Sequence, residues 1–275
     1  MVEAPLFSII TPTLNAAKFI DRLCESLITQ SLRSFEFIVI DGGSTDGTVE
    51  LLQKYHSVLP IKVSRQNGSG GIYAAWNQGA RASVGYWILY LGADDYMADI
   101  KVLERVQNKL SSNEVSKNIK FLYGSIYINN VKNPPIKPRI EPHFLDSFRG
   151  IVRLPTSGVF ISRSLFDEGV SFDEAYKICG DHDFFLRCNF LNCSKILDFP
   201  VIVFSLGGLS TSGYHEVTQY WERRRILHRF GRQRPFLFEF YYLARAYMRR
   251  SIVSGLPFSG VYEVVNRKRN GKDSQ

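Results

Sequence analysis

Two adjacent carboxylates, Asp94 and Asp95, end the segment YWILYLGADD, and a third, Asp41, ends FEFIVID just ahead of GGSTDGT. Side-by-side carboxylates repel unless a cation lies near them. Hard divalent ions such as Mg²⁺ and Mn²⁺ take oxygen ligands and use substrate phosphates to complete their shell. Asp94 and Asp95 therefore point to a diphosphate held through Mn²⁺ or Mg²⁺. Thr11, Pro12, Thr13 and Asn15 of TPTLN, with Ser44 after Asp41, offer further polar groups at the ends of two other apolar runs. Other phosphate devices are missing from the sequence. TPTLN carries no Gly-x-Gly-x-x-Gly, so nicotinamide chemistry loses most of its support, and no P-loop occurs either. Plainer roles compete: Asp41 to Thr48 could be a capped turn, and Asp94-Asp95 a solvated strand end.

These residues need elements to hold them. Phe7 to Thr13 reads as a strand, and Lys18 to Gln30 as a helix with Phe19, Ile20, Leu23, Leu27 and Ile28 on one face. Phe35 to Asp41 is a second strand and Thr48 to Tyr55 a second helix. Ile61 to Ser64, Ile72 to Ala82 and Tyr86 to Leu91 continue the alternation. Strand and helix in turn predict right-handed β-α-β units, a mostly parallel central sheet and helices on both faces. Ligands of such sheets bind where the strands end. Further on, a helix is expected from Lys101 to about Asn113, a strand from Phe121 to Ile128, and no regular structure in NPPIKPRIEP. A helix carrying Phe184, Phe185, Leu186 and Phe190 follows Gly180, beginning near Asp183, and a strand pair spans Ile196 to Phe204.

In this order, SIITPTLN (Ser8 to Asn15), FEFIVIDGGSTDGT (Phe35 to Thr48), GIYAAWNQGARASVGYWILYLGADD (Gly71 to Asp95), KICGDHDFFLR (Lys177 to Arg187) and GGLS (Gly207 to Ser210) make the chain resemble the family-2 inverting glycosyltransferases of the GT-A fold. The bacterial enzymes of capsule, exopolysaccharide and O-antigen assembly are the nearest group. The resemblance implies an α/β fold of the GT-A type that transfers sugar from a nucleoside-diphosphate donor to a glycan or lipid-linked glycan acceptor. It implies that Asp41 recognises the nucleotide base, with Thr11, Pro12, Thr13, Asn15 and Ser44 lining the pocket. Asp94 then meets the ribose, and Asp94 or Asp95 the metal. His215, by its place just after GGLS and not by the resemblance, is a weaker candidate ligand. Asp181 is implied as general base, with Thr156, Ser157, Asp183 and Arg187 on the acceptor side. The chain departs from the family at Ala74, Gly92 and Gly180, where acidic or other residues are common, and at Thr156, where a His is common.

Two rivals remain: a nucleotide-sugar-binding assembly factor without turnover, and a sugar-phosphate nucleotidyltransferase. The second would need a glycine-rich, basic loop that Ser8 to Asn15 lacks.

Composition frames these readings. With 275 residues, 45% apolar and 22% charged, the chain is long enough for a large α/β domain and is not of disordered type. Cys24, Cys179, Cys188 and Cys193 form no Cys-x-x-Cys and stand near no His cluster, so neither zinc knuckle nor redox pair is indicated and reduced thiols are expected. Up to Ser210 there are 21 Lys and Arg against 21 Asp and Glu; from Thr211 onward there are 13 against 5. The expected organisation is therefore a catalytic domain over 1–210 and a basic, aromatic helical extension over 211–275. Arg223 to Arg234 followed by FLFEFYYLARAYM suggests contact with an anionic membrane, with packing of the aromatics on the domain as the alternative. No nucleic-acid reading motif accompanies the charge. MVEAPLFSII reads as a first strand rather than a signal peptide, and no run reaches spanning length. The expected location is cytoplasmic, peripheral at the inner face of the plasma membrane.

Overall fold

The computed structural model describes residues 4–68, 70–112, 115–116, 118–129, 156–206 and 215–231, with 241, 244 and 248. These fall into two compact bodies, one ending at Leu206 and the other holding the described residues from His215 onward.

Eight strands of the first body form one sheet. They are β1 (Phe7–Thr13), β2 (Phe35–Asp41), β3 (Ile61–Arg65), β4 (Trp87–Tyr90), β5 (Tyr96–Met97), β6 (Phe121–Ile128), β7 (Val159–Ser162) and β8 (Ser194–Phe204). The order across the sheet is β3-β2-β1-β4-β7-β6-β8-β5. β3, β2, β1 and β4 run parallel, as the alternation of strand and helix requires. Beyond β4 the sheet is mixed: β7 is antiparallel to both β4 and β6, β6 is parallel to β8, and β5 is antiparallel to β8.

Helices α1 (Ala17–Ile28), α2 (Thr48–Gln53), α3 (Ile72–Ala82) and α4 (Val102–Ser111) connect the strands, followed by the short α5 (Ser164–Asp167) and by α6 (Gly180–Arg187). Side-chain alternation along the strands separates two cores. Phe7, Ile9, Phe37, Val39 and Leu89 join Ile20, Leu23 and Leu27 of α1 and Val102, Leu103 and Val106 of α4 in one buried cluster. On the opposite face an aromatic layer runs from Trp76, stacked on Tyr90 at 4.7 Å, through Phe172 to Phe184 at 4.2 Å and on to Phe121. Helices thus cover both faces. All four cysteines are free.

Two expected elements differ. Ile196 to Phe204 belongs to a single strand, β8, rather than a pair. Pro200 lies at an irregular register opposite Ser125, and a bulge accommodates the missing N–H. Helix α6 begins at Gly180, not near Asp183, so Asp181 stands in its first turn. Phe190 lies beyond that helix, in a 3₁₀ turn over Phe190–Asn192. NPPIKPRIEP lies outside the described residues, as does most of the aromatic segment after Pro235. The second body contains α7 (Glu216–Arg229), which carries Arg223, Arg224, Arg225 and Arg229. Arg224 stands over the Trp221 ring at 5.4 Å. Among the described residues, no helix is long and apolar enough to cross a membrane.

Candidate active site

The loops leaving β1 and β2 are fastened to one another. Asp41 Oδ1 accepts the Gly43 and Ser44 amides at 2.9 and 2.8 Å, and Oδ2 accepts the Ser44 and Thr13 hydroxyls at 2.6 and 2.8 Å. Burial alone would raise this carboxyl, but the Ser44 hydroxyl and amide, the Thr13 hydroxyl and the Gly43 amide outweigh it and hold the group below its usual range. An ionised carboxylate offers about four lone-pair directions, and the chain's own donors take all of them. A nucleotide base could bond Asp41 only in place of one, and the two hydroxyls are the donors that can rotate away. Asn15, in the left-handed region at φ 51°, accepts the Thr45 amide at 2.9 Å and gives its own amide to the Ser44 hydroxyl at 2.8 Å. Asp46 accepts from the Ala17 amide at the start of α1 and from the Thr48 amide at the start of α2. Thr48 in turn receives the Ala16 amide at 2.9 Å. Thr11 is fully buried in β1 with its hydroxyl unpartnered, and Pro12 is half-buried.

Asp94 and Asp95 follow β4 in a tight turn closed by the Asp95 amide on the Gly92 carbonyl. A Cβ built on Gly92 would lie 2.9 Å from both Asp94 Oδ1 and Asp95 Oδ2. The two carboxylates therefore flank one small space, which any larger residue at 92 would fill. Burial pushes the Asp95 carboxyl up to about 7, against donation from the Ser205 amide and the Ser157 hydroxyl, while neighbouring Asp94 adds to the rise. Burial likewise raises Asp94, opposed by Arg22 and Lys18. A cation between them would offset both penalties. Among the described residues no cluster of three His, Cys, Asp or Glu forms a ready-made cage. Ions of the Mg²⁺ class need none, since water and phosphate complete their shell. The donor set fits such an ion. Arg22, from α1, stacks over Tyr96 at 4.6 Å and donates to the Asp94 carbonyl at 2.6 Å, where the Ser205 hydroxyl also donates at 2.6 Å.

Asp181 sits at the amino end of α6, where the helix dipole favours a carboxylate. Its Oδ2 accepts the Thr156 hydroxyl at 3.0 Å; its Oδ1 accepts the His182 amide at 2.9 Å and lies 3.4 Å from the Tyr73 hydroxyl. Tyr73 is on α3 and donates to the Ile178 carbonyl at 2.7 Å. A Cβ at Gly180 would come within 2.8 Å of the Tyr73 ring, so the glycine makes that approach possible. Ser157, next to Thr156 in the 3₁₀ turn Thr156–Gly158, is among the groups that act against the rise of the Asp95 carboxyl. Consecutive residues of one turn thus act on the Asp181 carboxylate and on Asp95.

The other expected acceptor-side residues are engaged elsewhere. Asp183 is fully buried and accepts Arg187 Nε at 2.7 Å, while Arg187 also donates to the Ser171 carbonyl at 2.6 Å. His215 immediately precedes α7 in the second body. Sequence reasoning passed over Tyr73, Arg22 and Ser205, and took Asp46 and Thr48 no further than a capped turn. The Asp-Gly-Thr ahead of α2 is a capping signal for Asp46 and Thr48; Arg22 and Ser205 act over long sequence distances that leave no local trace.

A mixed α/β sheet with carboxylates at its strand ends is the architecture of GT-A glycosyltransferases, and the solved structures agree. Staphylococcus aureus TarS 1–349 in complex with UDP-GlcNAc superimposes with a TM-score of 0.65 at 22% identity, over 89% of this chain and 72% of that one. The mannosyltransferase PcManGT from Pyrobaculum calidifontis, in complex with GDP-Man and Mn²⁺, gives 0.61 at 16%, over 93% and 74%. The family model for glycosyl transferase family 2 matches residues 8–167, and the chain belongs to that family. It is a glycosyltransferase. A PGL/p-HBAD biosynthesis glycosyltransferase of Mycobacterium tuberculosis is 30% identical over 217 residues, 77% of this chain and 81% of the relative. The poly(ribitol-phosphate) beta-N-acetylglucosaminyltransferase TarS of S. aureus is 28% identical over 69% of this chain, which spans only 33% of that protein.

Proposed function

We propose that this glycosyltransferase moves a sugar, with inversion, from a nucleoside-diphosphate donor to a hydroxyl of a glycan or lipid-linked glycan. The observation that most supports this is the Thr156 hydroxyl on the Asp181 carboxylate at 3.0 Å, in a turn whose next residue, Ser157, helps to hold the Asp95 carboxyl down. Asp181 acts as general base: the acceptor O–H bond breaks toward its carboxylate while the oxygen bonds the anomeric carbon. The bond from that carbon to the diphosphate breaks, and its electron pair leaves with the nucleoside diphosphate. Asp94 and Asp95 would hold Mn²⁺ or Mg²⁺, whose charge stabilises the diphosphate. Asp41, Thr13, Asn15 and Ser44 shape the nucleotide end of the cleft. The basic extension would hold the enzyme on the anionic inner face of the plasma membrane.

Asp181→Asn keeps the shape and loses the proton acceptor. Transfer is expected to fall about 10²- to 10⁴-fold, with UDP or GDP binding in Mn²⁺ unchanged by calorimetry. Full activity in the variant rejects Asp181 as base. Donor binding without turnover for every sugar tried, in the unmodified chain, points instead to a non-catalytic assembly factor.

A further inference from the structure

The two oxygens of Asp181 are not equivalent. Oδ1 accepts the His182 amide at 2.9 Å and lies 3.4 Å from the Tyr73 hydroxyl oxygen. That hydroxyl has one proton, and the shorter contact, 2.7 Å to the Ile178 carbonyl, takes it. Tyr73 is only 3% exposed and is packed against Trp76 and Phe172, so its oxygen occupies the second side of Oδ1 as a fixed wall. Among the described residues Oδ2 has a single partner, the Thr156 hydroxyl at 3.0 Å. A carboxylate oxygen offers two lone-pair directions. Both are covered on Oδ1, and one remains open on Oδ2.

We propose that Oδ2 of Asp181 is the oxygen that takes the acceptor proton, and that Thr156 is the positioning residue that presents it. This rests on the reading of Asp181 as the base. Thr156 is suited to the task by its support. It is buried in a 3₁₀ turn that runs directly into β7, a strand paired on both sides, and Ser157 beside it acts on the Asp95 carboxyl. One short turn therefore sets where the proton is removed relative to the acidic turn on the leaving-group side. The proton accounting is consistent with this. Before transfer Oδ2 accepts from Thr156 and keeps a lone pair for the acceptor hydroxyl; after transfer it carries the proton on that side and still accepts from Thr156 on the other. Thr156 itself never gains or loses a proton. Its neutral hydroxyl also cannot compete with Asp181 for the acceptor proton, as an imidazole at this position could.

The test compares Thr156→Val, which keeps the shape and removes the hydroxyl, with Thr156→Ser, which keeps the hydroxyl. A panel of UDP-, GDP- and dTDP-sugars with Mn²⁺ is the donor probe, with alkyl glycosides as acceptors, and Asp181→Asn is run alongside. The expected result is that Thr156→Val lowers kcat about 10- to 10²-fold, the scale set by misplacing a reacting group. Donor KM and Tm should stay near wild type, and Thr156→Ser should recover most of the rate. If Thr156→Val does not fold, Thr156→Ala against Thr156→Ser carries the same comparison. Equal kcat with and without the hydroxyl, while Asp181→Asn is inactive, overturns the role of Thr156 and leaves the base standing. Activity in Asp181→Asn, or no turnover of any donor by the wild type, overturns the base and this inference with it.

Discussion

Gly92 shows how much of this site depends on an absent side chain. Its missing Cβ leaves the space that Asp94 Oδ1 and Asp95 Oδ2 both border at 2.9 Å. A methyl there would meet only the ends of two side chains, so Gly92→Ala is expected to swing the carboxylates aside rather than unfold the sheet. Tm should change little, while Mn²⁺-dependent nucleotide affinity falls about 10- to 100-fold, the effect typical of disturbing a metal's surroundings. Titration calorimetry of UDP with Mn²⁺ and with EDTA separates the two, and equal affinity for Mn²⁺-UDP in both proteins would remove the acidic turn from the cation's site. That Asp94 and Asp95 form a pair was legible, since two carboxylates after an apolar run are visible in any sequence. That Asp95 is only 2% exposed and held by Ser205 was not, because its partner lies 110 residues away.

Away from the site, at the amino ends of the strands, Glu36 binds several elements together. Its carboxylate accepts the Ser8 hydroxyl of β1 at 2.6 Å, Lys62 of β3 at 2.8 Å and the Val84 amide between α3 and β4 at 2.7 Å. Burial alone would raise the group, but Lys62, Ser8 and Val84 outweigh it and leave it lowered. Because the folded-state pKa lies below the ordinary Glu value of about 4.3, the carboxylate contributes its full stability above that value. The contribution fades as the pH falls through the lowered pKa. Glu36→Gln is expected to cost about 1–3 kcal/mol at neutral pH, and urea midpoints for variant and wild type should converge below about pH 4. A gap that stays constant into acid would assign the loss to packing instead. Element by element, α3 and β6 cover the residues expected of them, α3 starting directly after Gly71. β8 was legible only as two pieces because Pro200 reads as a break, while the bulge that absorbs it depends on β6 across the sheet.

For the whole molecule, the charge asymmetry carries the remaining expectation. With 13 basic against 5 acidic residues after Ser210, the full chain should sediment with phosphatidylglycerol-containing vesicles and be partly released by salt. Failure to sediment with vesicles of any anionic content would remove the membrane from the account. The parallel half of the sheet was readable at once because its strands alternate with helices, so that β2 lies beside β1 and β3 beside β2, with β4 on the other side of β1. The mixed half was not, since β7, β6 and β8 pair out of chain order. That ordering sets a sequence of events during synthesis. A nascent chain that has reached Asp167 holds Asp94 and Asp95, and all of the segment matched by the family model, yet lacks both Asp181 and the Ser205 groups that grip the acidic turn. If Asp181 is the base, as proposed, reactive competence would arrive last, when β8 docks, and a product ended at Asp167 would bring no base to an activated sugar.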